Sequence, residues 1–316
     1  VAGAVRVWYS HHFVLPLPPG HRFPMAKYAL LHERVAAARE RLEVRLEEAP
    51  QAAIEDLLRA HAPNYVERVL GGGLSAQEQR RIGFPWSPQM AERSRRVSGA
   101  TIAALRAAIA GDGIGVTLAG GTHHAAADRG AGYCVFNDSV VAARHVQAAG
   151  LARRVLVVDL DVHQGDGTAS LVRDDPSIYA FSMHAARNYP AVKPPSDLDV
   201  ALPDGTGDAE YLDLLAAHLP RAIDESRADA VIYLAGADPY VADRLGYLAL
   251  SKPGLRERDR MVLSRCAAAG LPVAVSMAGG YAESVDDIVD IHCATVEVAA
   301  GLARARHRAA PATASG

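Results

Sequence analysis

Short apolar runs recur along the chain, each closed by a cluster of polar and glycine residues, and longer stretches with helical periodicity separate them. The runs Val5–Tyr9, Gly115–Ala119, Arg154–Leu160, Ile178–Met183, Ala230–Ala235 and Val273–Met277 predict strands. Several are apolar at consecutive positions, as strands covered on both faces are. Helical patterns fill the intervals, over Ala26–Glu48, Gln89–Ala110, Asn137–Gly150, Ala209–Arg227, Gly254–Gly270 and Glu283–Ala303. This alternation predicts an α/β protein in which a central, mainly parallel sheet lies between two helical layers, a three-layer α/β/α fold. The Pro-bearing segments Pro16–Pro24 and Asn188–Asp199 read as long loops. No internal repeat or Gly/Ser/Pro-rich linker divides the chain, so residues 1–305 read as one domain and 306–316, "RHRAAPATASG", as a flexible tail.

Composition narrows the classes of function. The 316 residues are 50% hydrophobic and 22% charged, and the formal net charge is −3. A nucleic-acid partner usually leaves a basic excess, which is missing here. No run approaches the ~20 apolar residues of a membrane helix, and "VAGAVRVWYS" is too short for a signal-peptide core with a cleavage site. Cys134, Cys266 and Cys293 are scattered and odd in number. They suggest no disulfide framework, and a reducing cytoplasm is the expected compartment.

The unusual polar residues gather just beyond the strands. Gly115–Ala119 leads into "GGTHHAAADRGAGYCVFND", Arg154–Leu160 into "DVHQGDG", Ile178–Met183 into "HAARNYP", Ala230–Ala235 into "GADPYVADRLG" and Val273–Met277 into "AGGYAES". Open α/β sheets bind ligands outside the carboxyl ends of their strands, so five such ends point to one shared site. Asp161 and His163, two residues apart, project to the same side of the chain. A carboxylate and an imidazole suit zinc or another first-row divalent ion, although D-x-H alone is a weak signal and more often a polar strand end with a satisfied histidine. Asp238, directly after an apolar strand, is a third candidate ligand, since a bare carboxylate there is costly unless paired or metal-bound; an N-cap or Asx-turn is the alternative, but beside Asp161 and His163 ligation is the favoured reading. Two carboxylates and one imidazole would leave an open coordination position, as catalytic zinc sites do.

The adjacent His123 and His124 suit proton transfer near neutral pH, and Asp159 and Asp166 are spare carboxylates able to orient them. His11–His12 lacks such company and reads as ordinary loop histidine. Tyr281, after Gly279–Gly280, either aims a hydroxyl at a developing oxyanion or packs at a strand end. Tyr133 and Tyr189 either wall an apolar slot or anchor their loops to the core.

Taken together, "GGTHHA", "GYCVFND", "DLDVHQGDG", "FSMH", "GADPYVADRLGYLALS" and "GGYAES" resemble the histone deacetylase superfamily, the arginase/deacetylase fold, over most of the chain. "DVHQGDG", "RNYP" and "ADRLG" look most like class IV-type deacetylases and their bacterial relatives. The resemblance implies a zinc-dependent amide hydrolase that takes an acetyl or longer acyl group from an acylated amine such as acyl-lysine. It implies that Asp161, His163 and Asp238 bind one Zn²⁺, that His124 oriented by Asp166 is the general base and then acid, and that His123 pairs with Asp159. Tyr281 would hold the substrate carbonyl, and Gly132, Tyr133 and Tyr189 would flank the tunnel. A monovalent cation such as K⁺ would use Asp159, Asp161, His163, Ser182 and Met183. Position 133 is tyrosine where many relatives have phenylalanine, a departure that bears on the tunnel's width and polarity. Three rival readings remain open: an acetylpolyamine or other small-molecule deacetylase, an arginase-like ureohydrolase with two manganese ions, and a non-catalytic acyl-lysine-binding protein.

Overall fold

A computed structural model describes residues 4–309. Eight strands form one sheet: β1 Val5–Tyr9, β2 Val44–Glu48, β3 Ile114–Thr117, β4 Val155–Asp159, β5 Ile178–Ala185, β6 Leu198–Leu202, β7 Ala230–Leu234 and β8 Val273–Ser276. Their order is β2-β1-β3-β8-β7-β4-β5-β6, and every pairing is parallel. All carboxyl ends therefore share one edge of the sheet.

The alternation of side chains along each strand builds the two interfaces. Val5, Val7, Leu156, Val158, Val231, Tyr233, Val273 and Val275 face one layer and pack with Leu31, Val35, Leu215, Val262 and Ile288. That layer contains the helices Lys27–Ala37, Asp208–Ser226, Lys252–Ala268 and Val285–Ala309. Trp8, Val155, Val157, Ile232, Leu234 and Ala274 face the other, against Met90, Ile102, Leu105, Val140 and Val141 of helices Pro88–Ala107 and Asp138–Ala148. Each fully buried aliphatic side chain contributes roughly 1.5–3 kcal/mol, so the two interfaces dominate the fold's stability. Gly115 lets one helix come close: a Cβ there would lie 2.2 Å from the Ala104 carbonyl oxygen.

Two edge strands differ from the sequence expectation. The helix expected over Ala26–Glu48 ends at Leu42, because Glu43 adopts a left-handed conformation with φ 54°, and the chain continues as β2. Asn188–Asp199 was expected to be a loop, yet its end begins β6 at Leu198. Both are five-residue strands bearing polar side chains, which edges accommodate and which an apolar-run criterion passes over. The last helix continues to Ala309, past the expected boundary at 305. The rest of the expected tail, 310–316, lies outside the described residues. Among the described residues no helix is long and apolar enough to cross a membrane.

Candidate active site

Asp161, His163 and Asp238 converge where the chains leaving β4 and β7 separate. Their ligand atoms lie within 4.8 Å of one another. The turn that aims them is local. The Asp161 N–H donates to Asp159 Oδ1 (3.2 Å) and the His163 N–H to Asp161 Oδ1 (2.9 Å), two successive Asx-type bonds. His163 Nδ1 faces both carboxylates, 2.9 Å from Asp161 Oδ1 and 3.3 Å from Asp238 Oδ2. Asp238 Oδ1 accepts from the Val162 N–H at 3.0 Å, whereas its buried Oδ2 has no hydrogen bond. Gly279 closes the cradle. Its N–H donates to Asp161 Oδ2 at 2.7 Å, and a Cβ there would stand 1.8 Å from Asp238 Oδ2.

This set fits a divalent cation. Burial and then the neighbouring Asp161 push the Asp238 carboxyl up to about 7, against the pull of His163. Burial opposes a charge on His163, but its bond to Asp161 and the facing Asp238 carboxylate raise it to about 10. A carboxylate oxygen without a hydrogen bond, two neighbouring acids and one imidazole, all buried, form a donor set that a first-row cation would satisfy.

The paired histidines stand beside it, each with its own carboxylate: His123 Nδ1 is 2.6 Å from Asp159 Oδ2, and His124 Nδ1 is 2.6 Å from Asp166 Oδ1. The two rings diverge electrostatically. Burial disfavours a charged His123, but Asp159 and Asp161 outweigh it and raise the imidazole to about 9. Burial lowers His124 to about 4, reinforced by the charge of His123 and only partly opposed by Asp166. One ring is thus charged and the other neutral at pH 7.

Gly132, Tyr133, Tyr189 and Tyr281 line one cleft of about 310 Å³ with His123, His124, Asp161 and His163. Tyr189 is about half exposed and meets the His124 ring edge-on, with centroids 4.9 Å apart. Tyr133 has φ 66°, and its ring lies 5.1 Å from Phe23, 5.3 Å from Phe84 and 5.8 Å from Tyr281. Burial, then Asp161 and Asp238, hold the Tyr281 phenol well above its ordinary range, so it stays protonated. Ser182 pairs with Asp159 across β4 and β5, with Met183 next to it; the Ser182 hydroxyl is 2.9 Å from His184 Nδ1. His11 lies elsewhere, stacked on His32 at 3.9 Å.

Several supporting residues were not singled out in the sequence. Asp138, fully buried, accepts from the Gly121 and Thr122 N–H groups and from the Thr101 and Thr122 hydroxyls, which fixes the loop before His123. Asp243 accepts the Tyr281 N–H at 2.6 Å. The buried Lys27 ammonium donates to the Gly280 carbonyl at 3.2 Å and lies 5.3 Å from the Tyr281 ring centroid. A polar residue in the quoted motifs signalled Asp138 and Asp243; nothing local signalled Lys27.

His61 was also missed. Its Nε2 accepts the Asn137 N–H and its Nδ1 bonds the Ala126 carbonyl, both at 2.9 Å, which requires the neutral Nδ1–H tautomer. Burial lowers this ring from 6.5 to about 4. The unfolded chain therefore binds a proton below about 6.5 that the folded chain refuses until about 4, and stability falls as pH drops through that window. At pH 5 the loss from this group is about 2 kcal/mol. Urea unfolding at pH 7 and pH 5 checks it: the stability gap between wild type and His61→Gln should narrow by about that amount at pH 5, and an unchanged gap excludes the effect.

Comparison with known proteins identifies the family. The family model described as "Histone deacetylase domain" matches residues 21–296. An uncharacterised protein of the cyanobacterium Picosynechococcus sp. is 45% identical over 289 residues, covering 90% of this chain and 95% of that one. Histone deacetylase 2 of Arabidopsis thaliana is 30% identical over 243 residues, covering 74% of this chain and 62% of that one. The crystal structure of the HDA15 HD domain superposes with a TM-score of 0.79 at 21% identity, covering 94% of this chain and 91% of that one, a likeness of fold. The chain belongs to the histone deacetylase family.

Proposed function

We propose that the protein is a zinc-dependent deacylase that hydrolyses the amide of an acylated lysine side chain. The observation that carries the reading is the pair of histidines, each bonded to its own carboxylate at 2.6 Å, facing a three-ligand cluster across one cleft. Asp161, His163 and Asp238 would hold the Zn²⁺. When bound, zinc supplies Lewis-acid charge and brings the pKa of water toward neutrality.

The chain's own groups do the rest. Neutral His124, its tautomer fixed by Asp166, takes a proton from the attacking water. Charged His123, held by Asp159, adds fixed positive charge beside the carbon under attack. The protonated Tyr281 hydroxyl donates to the developing oxyanion, a contribution of about 3 kcal/mol for one well-placed donor. His124 then gives its proton to the departing amine, so the C–N bond breaks to a carboxylic acid and a free amine. Tyr133, Gly132 and Tyr189 confine the aliphatic stem.

Metal content and turnover measured together test the reading. Purified protein should carry about one zinc per chain, and it should cleave an acetyl-lysine or long-acyl-lysine peptide faster than an acetylpolyamine. Two metals per chain, or one zinc without turnover of any amide, would reject the proposal.

A further inference from the structure

Arg258 is the largest fully buried side chain in the protein, and the chemistry above makes no use of it. It sits in the helix Lys252–Ala268 and is not among the residues that line the cleft. Its Nη1 donates to two carbonyls at once, Gly236 at 2.7 Å and Leu160 at 3.3 Å. Leu160 immediately precedes Asp161, and Gly236 lies two residues before Asp238. A Cβ on Gly236 would stand 2.9 Å from the Asp161 Cα, so the two ligand-bearing segments touch at this point.

The ladder ends here. The Leu160 N–H still reaches the Leu234 carbonyl at 3.2 Å, but the chain after β7 then turns toward β8, its Ala237 N–H donating to Gly279. The guanidinium bonds one carbonyl from each of the two diverging segments. It is itself anchored: its Nε and Nη2 donate to Asp259 Oδ1 at 3.0 and 2.8 Å. The Tyr233 hydroxyl donates to the same oxygen, and the Thr295 hydroxyl donates to Oδ2. Arg258 and Asp259 are both fully buried. A buried ion pair generally adds little stability over an apolar pair of equal volume, so net stability is a weak reason for this one. What the fork supplies, and an apolar residue lacks, is donors directed at two carbonyls from a fixed plane.

We propose that Arg258 is a positioning residue that sets the separation of Asp161 and Asp238 by binding the carbonyls of Leu160 and Gly236 together. The inference rests on those carboxylates being metal ligands. Residues behind a metal's ligands typically change its affinity 10- to 100-fold when altered. Arg258→Lys keeps the charge against Asp259, yet its single nitrogen cannot stand both where Nη1 meets the two carbonyls and where Nε and Nη2 meet Asp259. Thr295→Val cuts the same network on its far side and leaves the carbonyl clamp intact.

The test is Zn²⁺ affinity, measured on the metal-free protein by competition with a chromophoric chelator, alongside thermal melting. Arg258→Lys should weaken Zn²⁺ binding by roughly 10- to 100-fold. Thr295→Val should lower the melting temperature and leave the affinity unchanged. Should Arg258→Lys not fold, Arg258→Met combined with Asp259→Asn removes the fork and its counter-charge together, and the same fall in affinity is expected. Wild-type affinity in the folded Arg258 variant overturns the inference, as does an equal loss of affinity in Thr295→Val. Wild-type protein that binds no Zn²⁺ overturns the ligand assignment, and this inference with it.

Discussion

His124→Ala is expected to lower kcat by roughly 100- to 10,000-fold while the zinc content stays unchanged. The ring lies outside the Asp161–His163–Asp238 cluster, so its removal takes no ligand away. Its Nδ1 is committed to Asp166 at 2.6 Å, which leaves Nε2 as the atom free to exchange protons in the cleft. Burial lowers the imidazole to about 4, so it is neutral and able to accept a proton throughout the physiological range. Alanine abolishes both the first proton transfer and the return of that proton to the leaving amine. On the proposed reading Tyr133 and Tyr189, not His124, would hold the acylated side chain, so KM should change far less than kcat. The check is steady-state kinetics on protein whose zinc has been quantified. Near-normal kcat with full zinc would strip His124 of the role.

The second large effect is on the metal. Asp238→Asn should leave the protein mostly zinc-free after dialysis, with activity lost in proportion. Asparagine keeps an oxygen that can accept the Val162 N–H, a bond now made by Asp238 Oδ1 at 3.0 Å, so the turn survives. What it removes is the charge on Oδ2, the buried oxygen without a hydrogen bond. In metal-free protein that charge is a burden, since burial and Asp161 push the carboxyl up to about 7. The metal-free variant should therefore melt at or above the metal-free wild type. Added zinc, which stabilises the wild type by about 4 kcal/mol at a thousand-fold excess over Kd, should shift the variant little. Calorimetric melts with and without Zn²⁺ measure both; a zinc-induced rise equal to that of the wild type would remove Asp238 from the ligand set.

The sheet's core was legible because burial on both faces leaves unbroken apolar runs. Val155–Asp159 and Ala230–Leu234 are buried at every position, and both were visible in the sequence. The residues now gathered around the cleft were legible for a related reason: Asp161, His163 and Asp238 are polar where the pattern calls for apolar. Edge strands obey neither rule. Val44–Glu48 carries Arg45, Glu47 and Glu48 and reads as the end of a helix, and only its pairing with β1 makes it a strand. The supporting residues are harder still. Lys27 acts on Gly280 across 253 positions and Arg258 on Leu160 across 98. A lysine and an arginine within amphipathic helices look like solvated surface until the tertiary partners are known.

The position of β8 bears on how the molecule is made. The last strand in the chain lies at the centre of the sheet, between β3 and β7. It joins the half that carries His123 and His124 to the half that carries Asp161, His163 and Asp238. A ribosome releases the amino-terminal portion first, so both halves emerge before the strand that unites them exists. Until residues 273–276 are translated, each half presents an unpaired inner edge, and strand edges left open invite pairing with other chains. The completed cleft is thus a late product of synthesis, and its assembly waits on residues 273–276, made after the other seven strands.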